Sequence, residues 1–278
     1  MIFAIVNVFM NIGFTKMHGL GNDFVVIENM SGRISLSKEQ VILLCDRHKG
    51  VGADGVILIE KSNDSDCFMN YYNSDGTLAQ MCGNGVRCVA KFLQDDLKIK
   101  KSIFKIDTRA GVKEITSEKD GNFSVNMGKP IFLHEDFPNT PKEIENLKLS
   151  FVSMGNPHAV AFVDDLSIYD LEVLGPKIEN NSNFPNKINF HLVEKIVRQD
   201  LTTKQEFKVR TWERGCGATL ACGTGACAVY AVARKHTNAG KSIKIKLPGG
   251  ELFISENDQG DIIMRGPAVS VFSSMIEV

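Results

Sequence analysis

Met81-Cys82-Gly83-Asn84-Gly85 and Ala221-Cys222-Gly223-Thr224-Gly225 are two copies of one motif, set half a chain apart and each centred on a cysteine. Each leads into a helix-like run, VRCVAKFLQ and ACAVYAVARK. The repeat extends beyond the cysteines. Lys101-Ser102-Ile103 and Lys241-Ser242-Ile243 lie as far apart as the cysteines do. Asp120-Gly121 matches Gln259-Gly260, and Gly128-Lys129-Pro130 matches Gly266-Pro267. Upstream, Gly21-Asn22-Asp23-Phe24-Val25-Val26 is similar to Gly155-Asn156-Pro157-His158-Ala159-Val160. Chance likeness between glycine-rich loops explains one match but not an ordered series. The period is too long for a solenoid, so the chain reads as two domains of one fold.

The bulk properties agree. A chain of 278 residues can build two cores of ordinary size. Its 43% hydrophobic and 23% charged residues are globular values. A net charge of −1 without a basic block gives no reason to expect nucleic acid or an anionic membrane surface. Seven cysteines at irregular spacing suggest reduced thiols in the cytoplasm rather than a disulfide framework. The apolar start, MIFAIVNVFMNIGF, lacks a basic region and a small-residue cleavage site and is too short for a membrane helix. Met10 offers a second start, which makes residues 1–9 an expected extension.

Strand patterns dominate. FVVIE, GVILIE, CFMNYY, SIFKID, VKEITS and NFSVNM lie in the first half. LSFVSM, HAVAFVD, NFHLVEK, EFKVRTWE, SIKIKL, ELFIS and DIIMRG lie in the second. Turn residues at Asp120-Gly121, Pro248-Gly249-Gly250 and Asp258-Gln259-Gly260 predict hairpins. Ser37 can cap a helix over LSKEQVILLCDRH, and the other two helices follow the cysteines. The expected class is therefore α+β, each half mostly antiparallel strand with one internal helix, rather than alternating βαβ. The segment 132–147, with two prolines and many charges, reads as a surface loop near a domain junction at 127–130. The expected division is 10–127 and 128–266, with a strand over 267–278 returning to the first half.

Two thiols related by pseudo-symmetry suit a racemase, in which one group takes a proton from one face of a carbon and the other returns one to the opposite face. Flanking glycines let the backbone approach a ligand. A helix opening just after each cysteine offers free N–H groups to an anion and lowers a thiol pKa. A buried cysteine in a glycine-rich turn is the alternative for either motif alone. Cys45, Cys67, Cys88, Cys216 and Cys227 read as core filler. The spacings C-x5-C and C-x4-C, with no C-x-x-C or H-E-x-x-H, fit neither zinc nor a redox pair. Gly50-Val51-Gly52-Ala53-Asp54-Gly55 has the form G-x-G-x-x-G but follows a helix and opens a strand, the reverse of a dinucleotide fingerprint.

Polar residues gather beside the cysteines. Asn73 precedes Cys82, and Glu213-Arg214 precede Cys222. Arginine can clamp a carboxylate and glutamate an ammonium. Asn22 and Asn156 occupy the matching Gly-Asn loops, with His158 beside the second. Each alone reads equally as a turn or structural residue. As a set they suit a zwitterionic ligand.

KMHGLGNDFVVIE, DRHKGVGADG, YYNSDG, MCGNGVRC, SMGNPHAV, FPNKIN and WERGCGATLACGTGACA, in this order, resemble the diaminopimelate epimerases from about Gly13 to Phe272. The resemblance implies a cofactor-independent enzyme that interconverts LL- and meso-2,6-diaminopimelate, in lysine and peptidoglycan precursor synthesis. It implies two similar domains, each a central helix wrapped by strands, with the active site in the cleft between them. It makes Cys82 and Cys222 the acid/base pair and His158 and Glu213 the polar residues beside the reacting centre. Asn22, Asn73, Asn156, Asn189, Glu213 and Arg214 become substrate contacts, and the amides of Gly83, Asn84, Gly223 and Thr224 hold the reacting carboxylate. No metal or cofactor is implied, and a homodimer is. Some members carry glutamine at the position of Gly55. Proline racemases resemble the cysteine regions but carry histidine at the position of Asn84 and lack the Glu-Arg-Gly run. A non-catalytic amino-acid-binding module is the alternative of another class.

Overall fold

The computed structural model describes residues 10–196, 205–237 and 239–278. The expected extension at 1–9 lies outside the described residues. The first half runs β1 (Asn11–Gly19), β2 (Asn22–Asn29), α1 (Lys38–Cys45), β3 (Gly55–Glu60), β4 (Cys67–Asn73), α2 (Gly83–Asp95), β5 (Ile103–Asp107), β6 (Lys113–Ser117) and β7 (Phe123–Asn126). There follow β8 (Lys142–Ile144), β9 (Leu147–Ser153), β10 (Pro157–Val163), a 3-10 turn at Leu166–Ile168, α3 (Leu171–Glu179), β11 (Asn189–Ile196), β12 (Gln205–Glu213) and β13 (Gly217–Thr219). The chain ends with α4 (Gly223–His236), β14 (Ser242–Leu247), β15 (Gly250–Glu256), β16 (Ile262–Gly266) and β17 (Val269–Glu277).

The architecture is an α+β repeat. Antiparallel pairing runs through β1–β2, β3–β4 and β5–β6–β7, and again through β9–β10, β11–β12 and β14–β15–β16. Each half also holds two parallel contacts, at matching places. These are β2–β3 and β4–β5 in the first half, and β10–β11 and β12–β14 in the second. Parallel neighbours need a crossover, and α1, α2, α3 and α4 supply one each. The expected α+β class, rather than an alternating βαβ one, holds, with these parallel contacts set among the antiparallel pairs. β7 joins β16 across the halves, and β17 pairs with β1 along Asn11–His18.

The two central helices differ from surface helices in having little polar face. In α2, Val86, Cys88, Val89, Ala90 and Leu93 are fully buried, and in α4 every residue from Ala226 to Ala233 is buried. Burying each valine stabilises by about 1.5–3 kcal/mol. Strands pack on α2 from β1, β5, β6, β7 and β17, and on α4 from β9, β10, β11, β15 and β16. Arg234, Lys235 and His236 complete the last turn of α4, where cations suit the dipole. Ser37 caps α1 in a reciprocal capping box with Gln40, and the helix stops at Cys45.

Two expectations are corrected. The 132–147 segment contains β8, paired with β9, and Phe137, which is buried in the second-half core with Phe151 stacked 6.0 Å away. Its prolines and charges mask a short edge strand. Helix α3 has no sequence counterpart above. It carries Pro176 and Gly175, both helix-weakening, and is held by tertiary packing against Trp212.

Candidate active site

Cys82 and Cys222 are the N-caps of α2 and α4. The two helix starts meet over one side chain. A Cβ at Gly83 would stand 2.8 Å from Met264 Cε, and one at Gly223 would stand 3.0 Å from Met264 Sδ and 3.7 Å from Asn84 Oδ1. The N–H groups of Gly83, Asn84, Gly223 and Thr224 lie in the first turns, where no intrahelical acceptor exists. Glu213 bears on both sulfurs electrostatically.

The thiols are not acidified. Burial pushes Cys82 up to about 11, against bonds from the amides of Gly85 and Asn84. Cys222 rises well above its usual value, through burial and then the Glu213 charge. Gly225 N–H donates to Cys222 Sγ at 3.3 Å, which offsets only part of this. The expectation of a lowered thiol pKa is therefore corrected, because desolvation of the anion outweighs the amide bonds that the helix starts offer each sulfur. Glu213 is itself raised by burial, with Oε1 accepting from Thr219 Oγ1 at 2.6 Å.

Around Cys82, Asn22 Oδ1 accepts from Cys82 Sγ at 3.4 Å and from Asn84 Nδ2 at 3.1 Å. Asn22 Nδ2 donates to Asp54 Oδ2 at 2.8 Å. Asn73 holds its own turn, its Nδ2 donating to Thr77 Oγ1 at 3.0 Å. Around Cys222, Asn189 Oδ1 accepts from the Arg214 amide at 3.0 Å and its Nδ2 donates to Pro157 O at 2.9 Å. Asn189 thus sets the loop that presents Arg214. The exposed Arg214 guanidinium has one nitrogen bonded to Asn186 O at 2.8 Å.

His158 is fully buried with both ring nitrogens engaged. Nε2 lies 2.9 Å from Asn156 Oδ1, and Nδ1 lies 2.9 Å from His191 Nε2. His191 Nδ1 lies 3.0 Å from Thr211 Oγ1. An amide oxygen only accepts, so protons run from Thr211 through His191 and His158 toward Asn156. In this arrangement His158 reaches the site through Asn156, whose Nδ2 has no protein partner among the described residues. His191 and Thr211 were missed in the sequence, because nothing local marks two strand residues as the backing of a loop.

Two more residues escaped the sequence reading. Gly55 faces Tyr71, and a Cβ there would lie 2.5 Å from the ring, so Tyr71 occupies the space in front of this glycine. Tyr71 neighbours Cys82, Asp54, Cys216 and Glu213, and burial raises its pKa far above normal. Cys216, expected as core filler, is exposed, while Cys45, Cys67, Cys88 and Cys227 are buried. It sits in the turn between β12 and β13, flanked by Gly215 and Gly217, both at positive φ.

The fold of this repeat is shared by solved structures of distant sequence. The chain aligns with a phenazine biosynthesis protein of the PhzF family from Bacillus anthracis at TM-score 0.73 and 15% identity, covering 97% of this chain and all of that one. A hydroxyproline epimerase from Agrobacterium vitis aligns at TM-score 0.69 and 14% identity, covering 96% and 93%. These likenesses establish the fold. Sequence gives the family. The profile of diaminopimelate epimerase matches residues 14–133 and 150–271. Diaminopimelate epimerases of Acetivibrio thermocellus and Leptospira biflexa are 41% and 42% identical, covering 95% and 97% of this chain and 98% and 100% of theirs. The chain belongs to the diaminopimelate epimerase family.

Proposed function

We propose that this enzyme interconverts LL- and meso-2,6-diaminopimelate by two-base proton transfer between Cys82 and Cys222. The observation that carries the reading is the pair of N-cap cysteines at helix starts that meet over Met264. Family membership supports the substrate and the place in lysine and peptidoglycan precursor synthesis.

The chemistry follows from the site. One thiolate removes the α-proton while the opposite thiol delivers its proton to the other face. The C–H electron pair stays on carbon in between, delocalised into the carboxylate. The amides of Gly83, Asn84, Gly223 and Thr224 stabilise that charge. Cys222 is buried and Cys82 partly so, and closing the substrate over them excludes water and strengthens these bonds further. Glu213 and His158 stand beside the reacting centre, His158 acting through Asn156. Arg214, Asn73, Asn22, Asn156 and Asn189 form or position the clamp for the distal amino-acid end, which sets selectivity.

The catalytic halves are residues 10–127 and 128–266, with 267–278 returning to the first. Pairing of β17 with β1 supports that return. A cytoplasmic homodimer is the working state. Among the described residues no helix is long and apolar enough to cross a membrane. Val271, Phe272 and Met275 of β17 are exposed apolar side chains that contact with a second copy would cover.

Proton NMR of LL-diaminopimelate in D2O tests the activity, with proline in parallel. Loss of the α-hydrogen signal with formation of the meso isomer, and none with proline, is expected. Exchange of proline alone would move the enzyme to the proline-racemase branch. Binding of diaminopimelate without exchange would make it a binding module.

A further inference from the structure

One face of β3 and β4 lies directly against the head of α2. A Cβ at Gly85 of α2 would meet Met69 Cε at 2.7 Å, Ile57 Cδ1 at 3.2 Å and Cys82 Cβ at 3.4 Å. Successive strand residues point to opposite sides, so Tyr71 and Asn73 share the face of Met69, together with Gly55 and Ile57 of β3. Phe24 pairs with Gly55, which extends the same face to Asn22 and Phe24 of β2. Asn22 on this face already touches the site, since its Oδ1 accepts from Cys82 Sγ at 3.4 Å.

Tyr71 is paired with Ile57, one row behind Gly55 and Asn73, but its ring leans forward. From a Cβ at Gly55, ring atom Cε2 would stand at 2.5 Å and Cζ, the carbon that bears the hydroxyl, at 3.3 Å. Phe24 meets the ring edge-on, with centroids 5.8 Å apart. The glycine therefore leaves room for a phenol, and the hydroxyl end comes forward to the row of Asn73. Next to Gly55, the Asp54 carboxylate accepts from Asn22 Nδ2 at 2.8 Å, which ties this row to the surroundings of Cys82.

Tyr71 is only 8% exposed. Among the described residues nothing hydrogen-bonds its hydroxyl, whereas the Tyr72 hydroxyl accepts from Asn70 Nδ2 at 3.2 Å and that of Tyr230 donates to Lys241 O at 3.1 Å. A buried hydroxyl without a partner is costly, and a ligand can supply the missing bond. Burial keeps the phenol protonated, and the charges that add to this belong to acids, Cys82, Asp54, Cys216 and Glu213. An oxygen set among acids suits a cationic donor better than an anion.

We propose that Tyr71 is a substrate-binding residue, its hydroxyl oxygen accepting a hydrogen bond from the amino group on the reacting carbon. The proposal rests on the two-base reading above and deepens it. The amino group keeps its charge while the α-proton leaves. The contact is therefore equal in the bound substrate and in the transition state, and it contributes to affinity rather than to turnover.

Tyr71→Phe removes the hydroxyl and keeps the ring over Gly55. KM for diaminopimelate should rise about tenfold or more, the scale of a bond to a charged group, with kcat within about threefold of wild type. Stability in urea should be unchanged or higher, because no protein group loses a partner. A loss of stability would make the hydroxyl structural and overturn the proposal. Binding is read directly in protein labelled with carbon-13 at tyrosine Cζ. The chain has four tyrosines, and the Tyr71 signal is the one lost in Tyr71→Phe. Saturating diaminopimelate should move that signal away from the phenolate position, as accepting a hydrogen bond does. A move toward the phenolate position would mean donation to a carboxylate and would overturn the amino-group assignment. In protein that exchanges the α-hydrogen, either an unmoved signal or an unchanged KM would overturn the contact itself. A wild type that leaves the α-hydrogen in place would instead fail the two-base reading, and the proposal with it.

Discussion

His158 Nδ1 and His191 Nε2 lie 2.9 Å apart in a fully buried site, so only one proton fits between the two rings. Both rings are therefore neutral, each carrying its proton on Nε2, and Asn156 is left with an amide donor toward the ligand.

That relationship predicts a pH response. Burial holds His191 down to about 3, and burial with His191 and Arg214 nearby holds His158 well below normal. Unfolded histidines bind protons from about pH 6.5 downward. Between there and pH 3 the unfolded chain takes up protons that the native rings refuse. Stability should fall with pH through this window, by up to about 1.4 kcal/mol per unit for each ring. Nitrogen-15 spectra should show two neutral Nε2-protonated rings from pH 5 to 9. A ring that titrates near 6.5 would contradict the hydrogen-bond chain.

The cysteines carry the sharpest test. Cys82→Ala or Cys222→Ala should cut turnover by about 10³-fold or more, the scale of a lost acid or base, with circular dichroism unchanged. A variant retaining near-wild-type turnover would remove that sulfur from the proton path.

Because both thiols are held above their usual range, activity should increase with pH. kcat/KM is expected to climb from pH 6 to 9 as one thiolate becomes available, and to turn over only when the second also ionises. A profile flat across this range would mean that substrate-free thiol ionisation does not limit the reaction.

Arg214→Ala should raise KM for diaminopimelate by about 10- to 100-fold, with a smaller effect on kcat, since a charge-assisted bond to the non-reacting end is lost. An unchanged KM would exclude the clamp role.

Gly225 tests the packing behind Cys222. A Cβ at this position would lie 2.2 Å from His191 Cε1, a contact that the buried ring cannot relieve without moving. Gly225→Ala should destabilise the protein by about 1–3 kcal/mol in urea denaturation, and more if the histidine chain breaks. Unaltered stability would show that the ring moves freely.

Much of the fold was legible in the sequence, for local reasons. Alternation marked most strands, Ser37 and Gln40 marked the start of α1, and the duplicated cysteine motif marked both central helices. Strands β1 and β8 and helix α3 were not legible. The apolar run before β1 carries no periodicity, prolines and charges hide β8, and α3 exists because Trp212 and its neighbours pack on it.

The site divides in the same way. The sequence by itself determined which residues could do chemistry, because thiols, carboxylates and amides declare themselves by type and by their place before a helix. Only the tertiary structure decided their electrostatics. Desolvation of both sulfurs, and the reach of the Glu213 carboxyl to Cys82, depend on residues distant in the chain. Both influences raise the thiols that a helix start alone would lower, and they act unequally on two sequence-equivalent cysteines. Local sequence fixes which groups are present, whereas pKa follows from what surrounds them in space.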